Sequence, residues 1–186
     1  MSAAALTAED VLNFWFFELG EGQWFKPDAA VDEKIRHKFQ SFYDDALNGN
    51  LREWEKTPTG TLALLLFLSA FPRRMFAGTA KAFETDAQAL ELARTAIIRH
   101  FDDRIDASFK LFFYLPFMYS ENLGDQRLAL FYIRERTKNP SWLAIAEDHF
   151  LLIQKYGRFP ERNTVLKRAS TPLEAAYLQE NHRQVA

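Results

Sequence analysis

Apolar and polar positions follow one another along the chain with the period of an α-helix. Val31, Ile35, Phe39 and Phe42 recur at intervals of three or four residues, which places them on one helix face. Similar stripes recur along the chain, and residues typical of helix N-termini precede several of them, as Thr85 does. Seven glycines and seven prolines leave little material for the turns of an all-β protein. The pattern predicts an all-α fold.

The longest continuous apolar run extends from Leu62 to Leu68. A helix that is apolar on every side is buried on most of its surface, so we predict that this one is the central helix of its half of the chain. Phe71-Pro72 should end or kink it, because proline disfavours a helical conformation in the residue before it. The run is also too short to span a bilayer, which needs about 20 residues.

Composition and charge narrow the class of protein. The 186 residues suffice for one domain, or for two packed halves of about 1–80 and 81–186. Lysine and arginine number 23 against 25 acidic residues, and this balance argues against nucleic-acid binding. The chain has no cysteine, which excludes disulfides, cysteine-ligated zinc and a thiol nucleophile. We expect a cytoplasmic protein without membrane association or a cofactor.

Four arginines stand beside two similar motifs. Arg73 and Arg74 follow Phe71-Pro72, and Arg158 and Arg162 flank Phe159-Pro160. Guanidinium groups suit carboxylate and phosphate because their planar fork donates two parallel hydrogen bonds. These residues are therefore candidates for an anion site. In the alternative interpretation they cap helix ends or pair with nearby acids, such as Glu84, Asp86 or Glu121.

His149 shares an apolar helix face with Trp142 and Tyr156. A histidine in this position can be a hydrogen-bonded core residue, a proton-transfer group or a ligand contact. The other three histidines do not stand at metal-ligand spacing, so no metal site is expected.

An aromatic segment around Pro116 contributes further candidates. Tyr114 and Tyr119 belong either to the core or to the apolar wall of a pocket, and Pro116 is expected to break the helix between them. Glu121 can act as a base if it is desolvated. It can equally be a first-turn acid that stabilises the next helix.

Taken together, the motifs resemble those of the DUF924 family, bacterial-type helical proteins of uncharacterised function. The resemblance implies a tetratricopeptide-like antiparallel array of about 8–10 helices, and it extends almost from end to end of the chain. Its main motifs are Phe14-Trp15-Phe16, Trp24-Phe25, Leu68 to Gly78, Ala82 to Asp86, Phe113 to Phe117, Ser120-Glu121, Gln126, His149, Gly157 to Asn163 and Ser170-Thr171-Pro172.

The resemblance also implies a polar pattern from which this chain departs, although the apolar framework is retained. If these motifs line one cleft, a family-wide activity that depends on them is absent or altered here. The positions that differ are Ser69-Ala70 (usually Asp-Gln), Arg74 (usually Asn), Ala77 (usually Arg), Met118-Tyr119 (usually Glu-His or a similar pair) and Glu161 (usually His).

Three functions fit these observations. The first is binding of a small anionic ligand in a cleft lined by arginine and aromatic residues. The second is a tetratricopeptide-like interaction module for a peptide or protein partner. The third is an enzyme of unknown reaction with an altered site, for which no complete set of nucleophile and base can be assembled. The candidate ligand-binding residues are Arg73, Arg74, Tyr114, Tyr119, Glu121, His149, Arg158, Arg162 and Asn163.

Overall fold

The computed structural model describes the backbone of residues 6–185 and the side chains of residues 6–180. This part of the chain contains nine α-helical segments, two π-helical segments (Asn13–Leu19 and Leu66–Ala70), several short 3₁₀ turns and no β-strand. The all-α prediction and the expected number of helices are confirmed. The segments are α1 (Ala8–Leu12), α2 (Ala29–Leu47), α3 (Pro58–Leu65), α4 (Phe71–Met75), α5 (Asp86–Ile98), α6 (Leu111–Tyr119), α7 (Leu123–Arg136), α8 (Pro140–Tyr156) and α9 (Pro172–Val185).

The helical path does not stop at Pro72. A π-helical segment, Leu66–Ala70, joins α3 directly to α4, and the Phe71 amide donates to the Leu66 carbonyl. Proline has no N–H, so the carbonyl four residues earlier, that of Leu68, loses its helical donor. The Thr85 hydroxyl donates to that carbonyl at 2.8 Å. Thr85 precedes α5 as predicted, but its hydroxyl serves the proline turn instead of capping α5.

This hydrogen bond gives a test of the proline turn. Thr85 is 1% exposed, so Thr85→Val should leave the Leu68 carbonyl buried without a donor. We expect a loss of about 1–3 kcal/mol in the free energy of unfolding, measured with urea. The matched control is Thr79→Val, because the exposed Thr79 makes the same kind of bond, to the Phe76 carbonyl; its expected change is below about 0.5 kcal/mol. Equal effects of the two substitutions would contradict the role assigned to Thr85.

The apolar run predicted to be central is buried on all sides. Every residue from Leu62 to Leu68 is at most 4% exposed. The Phe71 ring packs between the rings of Phe39 and Phe67, with centroids 4.9 and 5.1 Å away. This core continues into the second half of the chain through the edge contact of Trp15 with Phe112.

A second apolar helix, α6, lies beside the first. Its residues Leu111 to Met118 are all buried, and Pro116 lies inside the helix. The break expected at Pro116 is absent, and the helix continues through the proline to Tyr119. Helices α5, α7 and α8 pack against α6. The C-terminal end of α6 therefore lies among buried neighbours, beside α8.

Candidate functional site

Two adjoining cavities lie near the C-terminal ends of α4 and α6. The first, the polar compartment, has a volume of about 270 Å³. The second, the apolar compartment, has a volume of about 240 Å³. Phe25 and Tyr119 line both and form the boundary between them. The other residues of the polar compartment are Trp24, Pro27, Asp32, Ala70, Arg73, Arg74 and Ala77, and those of the apolar compartment are Leu111, Leu115, Met118, Trp142, Ile145 and His149.

Arg73 is held on the wall of the polar compartment by three interactions. Its two terminal nitrogens donate to the two carboxylate oxygens of Asp86, at 2.7 and 2.8 Å. Nη1 also donates to the Ser69 carbonyl, and the guanidinium carbon lies 3.6 Å from the centre of the Tyr119 ring. Among the described residues, Nε has no hydrogen-bond partner. Arg73 is thus fixed in place with donor capacity to spare.

Arg162 shares the same carboxylate. Its Nη1 lies 3.6 Å from Asp86, and its Nη2 donates to the Tyr119 carbonyl at 3.0 Å. The guanidinium is packed between the rings of Phe83 and Phe159. Burial, together with the positive charge of Arg73, lowers the pKa of Arg162 to about 10. Because two guanidinium groups meet one carboxylate, the cluster carries an excess of one positive charge at neutral pH.

Arg74 also lines the polar compartment, but its partners differ from those of Arg73. It is 7% exposed and forms an ion pair with Asp32 through Nε, while Nη1 donates to the backbone carbonyls of Gln23 and Lys26. Within the described part of the chain, Nη2 has no hydrogen-bond partner, and neither does the Gln23 Oε1 atom. A buried guanidinium with an unpaired donor is costly and therefore suggests a missing acceptor.

Tyr119 links the two compartments. Its ring covers the Arg73 guanidinium, and its centre lies 6.5 Å from that of the His149 ring. Burial raises the pKa of the phenol, although the charges of Arg73 and Arg162 oppose that rise. The hydroxyl therefore keeps its proton at neutral pH and can donate a hydrogen bond.

His149 lines the apolar compartment in a defined tautomer. Its Nδ1 lies 3.1 Å from the Met118 carbonyl oxygen. A carbonyl only accepts, so Nδ1 carries the hydrogen and Nε2 presents a lone pair. Burial lowers the pKa of the imidazole, and the charge of Arg162 adds to this effect. The neutral ring has Nε2 available as an acceptor, and its edge packs on Phe159.

Glu121 belongs to a structural network next to the cleft. Its carboxylate accepts two hydrogen bonds from Arg168 and one from the Phe159 amide. Burial alone would raise the pKa of Glu121, but these bonds and the charge of Arg168 hold it below its usual value. The same arginine donates to the Asn163 side chain, which in turn donates to Ser170. Glu121 and Asn163 therefore organise the loop after α8 and do not line either compartment.

Two other candidates lie apart from the compartments. Arg158 donates to both oxygens of Glu174 and to the Ala169 carbonyl, which joins α9 to the loop before it. Tyr114 is fully buried and donates to Asp102 at 2.6 Å. Of the nine candidates, the structure brings together Arg73, Arg74, Tyr119, His149 and, behind Tyr119, Arg162.

Several residues of the cleft do not stand out in the sequence. Asp32 resembles an ordinary first-turn acid of α2, and no sequence pattern connects it with Arg74. Phe25 stands beside the recognisable Trp24, but its position between the compartments depends on tertiary packing. Asp86 was named in the sequence analysis only as one possible partner for an arginine. The structure shows that it pairs with two arginines, Arg73 and Arg162.

Two kinds of site have no support within the described residues. No group of three or more histidine, aspartate or glutamate side chains is placed to hold a metal ion. None of the helices there has the length and apolar character needed to cross a bilayer.

The comparisons with known proteins agree with the fold. The sequence model of the DUF924 family, described as a bacterial protein of unknown function, matches residues 11–182. The chain belongs to the DUF924 family. It is similar to the solved structure of a protein of unknown function from Agrobacterium tumefaciens, with a TM-score of 0.89 and 36% identity over 93% of this chain and 97% of that chain. No curated protein matches the chain.

The positions that depart from the family pattern cluster at the cleft. Ala70, Arg74 and Ala77 line the polar compartment, and Met118 lines the apolar one. Alanine at positions 70 and 77 contributes open volume where the resemblance implied an amide and a guanidinium. Ala70 and Met118 also belong to the core cluster, so these positions join the cleft to the core.

Proposed function

We propose that the cleft binds a small organic anion, with the charged group in the polar compartment. The observation that carries the proposal is the sharing of Asp86 by Arg73 and Arg162. This arrangement leaves one positive charge uncompensated beside a cavity, where a ligand carboxylate would balance it.

Arg74 supports the same interpretation, because it lines the same compartment. Its Nη2 atom lacks a hydrogen-bond partner among the described residues although the side chain is buried. An anion in the compartment would supply an acceptor for the Nε atom of Arg73 and would lie beside the charge of Arg74. The Nη2 atom of Arg74 is itself inaccessible from the compartment, so this side chain acts on the anion through its charge. Two guanidinium groups that line one compartment attract a carboxylate more strongly than either alone.

A partner protein is the second candidate function, and the exposure of the rim favours it. Phe25 is 49% exposed and Ile145 is 46% exposed, and both line the apolar compartment. A peptide with an acidic side chain beside an apolar one would match this pair of compartments. Such a peptide would use the same charged residues, so variants of the polar compartment would weaken both peptide binding and small-anion binding. Binding of a free small carboxylate distinguishes the two functions, because only the first proposal requires it.

Ala77 offers the sharpest test of the anion site, since it is exposed and lines the polar compartment. Ala77→Glu introduces a negative charge there, whereas Ala77→Gln introduces the same bulk without charge. Phenylacetate and inorganic phosphate serve as probes in thermal-shift and calorimetric titrations, because a ligand of the native state raises the melting temperature. We expect Ala77→Glu to weaken binding at least about tenfold relative to Ala77→Gln, since like charges at short range repel.

Arg158→Gln is the second control, because it removes a guanidinium that also binds a carboxylate bidentately but lies outside the cleft. This variant should retain binding. Absence of any shift with carboxylates and phosphate in the unmodified protein would overturn the anion proposal. If Ala77→Glu and Ala77→Gln bound the probes with equal affinity, the anion would not bind in the polar compartment.

A further inference from the structure

The apolar compartment contains an imidazole nitrogen, Nε2 of His149, that has no hydrogen-bond partner among the described residues. The remaining lining of this compartment is aliphatic, aromatic or thioether, apart from the Tyr119 hydroxyl and the indole N–H of Trp142. His149 therefore supplies the imidazole acceptor in otherwise apolar surroundings. A half-buried acceptor of this kind favours ligands that present a matching donor.

The tautomer of His149 is set from outside the compartment. The Met118 carbonyl accepts from Gln126 Nε2 at 2.8 Å as well as from His149 Nδ1. Gln126 is fully buried, and its Nε2 also donates to the Ser120 carbonyl. Both lone pairs of the Met118 oxygen are thereby used, which keeps the hydrogen of His149 on Nδ1 and leaves the lone pair on Nε2.

The two compartments are close enough for one small molecule. Arg73 Cζ is 3.6 Å from the Tyr119 ring centre, which is 6.5 Å from the His149 ring centre, so guanidinium and imidazole are at most about 10 Å apart. Each cavity is smaller than the roughly 300–1,000 Å³ of typical ligand pockets, whereas the pair together falls within that range.

We propose that the ligand is an aromatic or similarly apolar carboxylate that carries a hydroxyl group at its far end. The carboxylate lies against Arg73 and Arg74, the body crosses Phe25 and Tyr119, and the hydroxyl donates to His149 Nε2. This assignment rests on the proposed function, because it places the anion in the polar compartment.

The test compares carboxylates that differ by one hydroxyl group. The probes are benzoate, phenylacetate and phenylpropanoate, each paired with its para-hydroxy derivative, so that three lengths are sampled. We expect at least one hydroxylated acid to bind about 3- to 10-fold more tightly than its partner, the effect of one hydrogen bond. His149→Phe should abolish this preference, because the ring keeps its bulk but loses the acceptor.

His149→Gln guards against a merely structural effect, since its amide can donate to Met118 and accept from the ligand. It should retain part of the preference. Nitrogen NMR of labelled histidine gives an independent readout: the Nε2 resonance of His149 should shift with the hydroxylated probe and not with the plain acid. In Ala77→Glu we expect the plain acid and its para-hydroxy derivative to lose affinity equally, because both place their carboxylate in the polar compartment.

The outcomes separate the two proposals. If no carboxylate binds the unmodified protein, the anion site itself is wrong. If plain and hydroxylated acids bind equally at every length, the anion site stands and the role of His149 is overturned. A preference that persists in His149→Phe also overturns it, because another group then accepts the hydroxyl.

Discussion

Arg136→Met should destabilise the protein by about 3–5 kcal/mol, the largest effect that we expect from a single substitution. Arg136 Nη1 donates to Asp102, whose side chain is completely buried and whose only other donor among the described residues is the Tyr114 hydroxyl. The Asp102 Oδ1 atom already lacks a partner. Removal of the guanidinium leaves a buried carboxylate without compensating charge. Urea unfolding at neutral pH measures the loss.

Arg134→Met is the matched control on the same helix. Arg134 lies 3.7 Å from Glu147, and both side chains are more than half exposed, so the change should stay below about 1 kcal/mol. A double variant, Asp102→Asn with Arg136→Met, should recover part of the lost stability because the buried charge is removed with its partner. Similar losses for Arg134→Met and Arg136→Met would show that the Asp102 pair is not a buried ion pair in energetic terms.

Gly60→Ala should destabilise the protein by about 2–3 kcal/mol, although alanine is the better helix former. Gly60 lies in the first turn of α3, after the Thr57 cap and Pro58. A Cβ atom there would lie 2.3 Å from the Trp54 carbonyl oxygen and 2.9 Å from its carbon. These are backbone atoms of the preceding 3₁₀ turn and cannot rotate away as a side chain would.

Gly22→Ala provides the comparison, because a Cβ atom at Gly22 meets nothing within 4 Å. Its effect on the free energy of unfolding should be within about 0.5 kcal/mol. If Gly60→Ala proved as stable as the unmodified protein, the 3₁₀ turn Arg52–Lys56 would have to shift away from α3 at little cost in free energy. Thermal and urea unfolding should agree on the sign.

The fold was predictable from sequence because its evidence is local. Helical spacing and the apolar run from Leu62 to Leu68 depend on residues close together in the chain, and so do the caps that the structure shows at Thr57 and Asp28. The helix end expected at Pro72 and the break expected at Pro116 are both absent for a tertiary reason, while the alternative of a kink at Pro72 stays a prediction. Pro72 is accommodated by a π turn and by a hydroxyl from Thr85, and Pro116 lies inside a helix enclosed by three others.

The site was predictable only in part. Five of the candidates lie together at the cleft because α4, the end of α6, α8 and the loop after α8 meet there: Arg73, Arg74, Tyr119, His149 and Arg162. Arg158 and Tyr114 do not, since their partners Glu174 and Asp102 give them other roles. Ion-pair choice depends on distances between elements far apart in the chain, which periodicity does not encode. The tetratricopeptide-like arrangement implied by the resemblance stays a prediction.

The π-helical segment Leu66–Ala70 determines how the side chains of α4 are rotated about the helix axis relative to those of α3. One residue of an α-helix advances the chain by about 100° around the helix axis, so a widened turn acts as a one-residue insertion that rotates α4 relative to α3. In this phase, Arg73 faces Asp86 while Arg74 faces Asp32. A continuous α-helix with the same residues would aim both guanidinium groups elsewhere. The distribution of charge around the cleft is therefore encoded in helix rotation as much as in the identity of the two arginines.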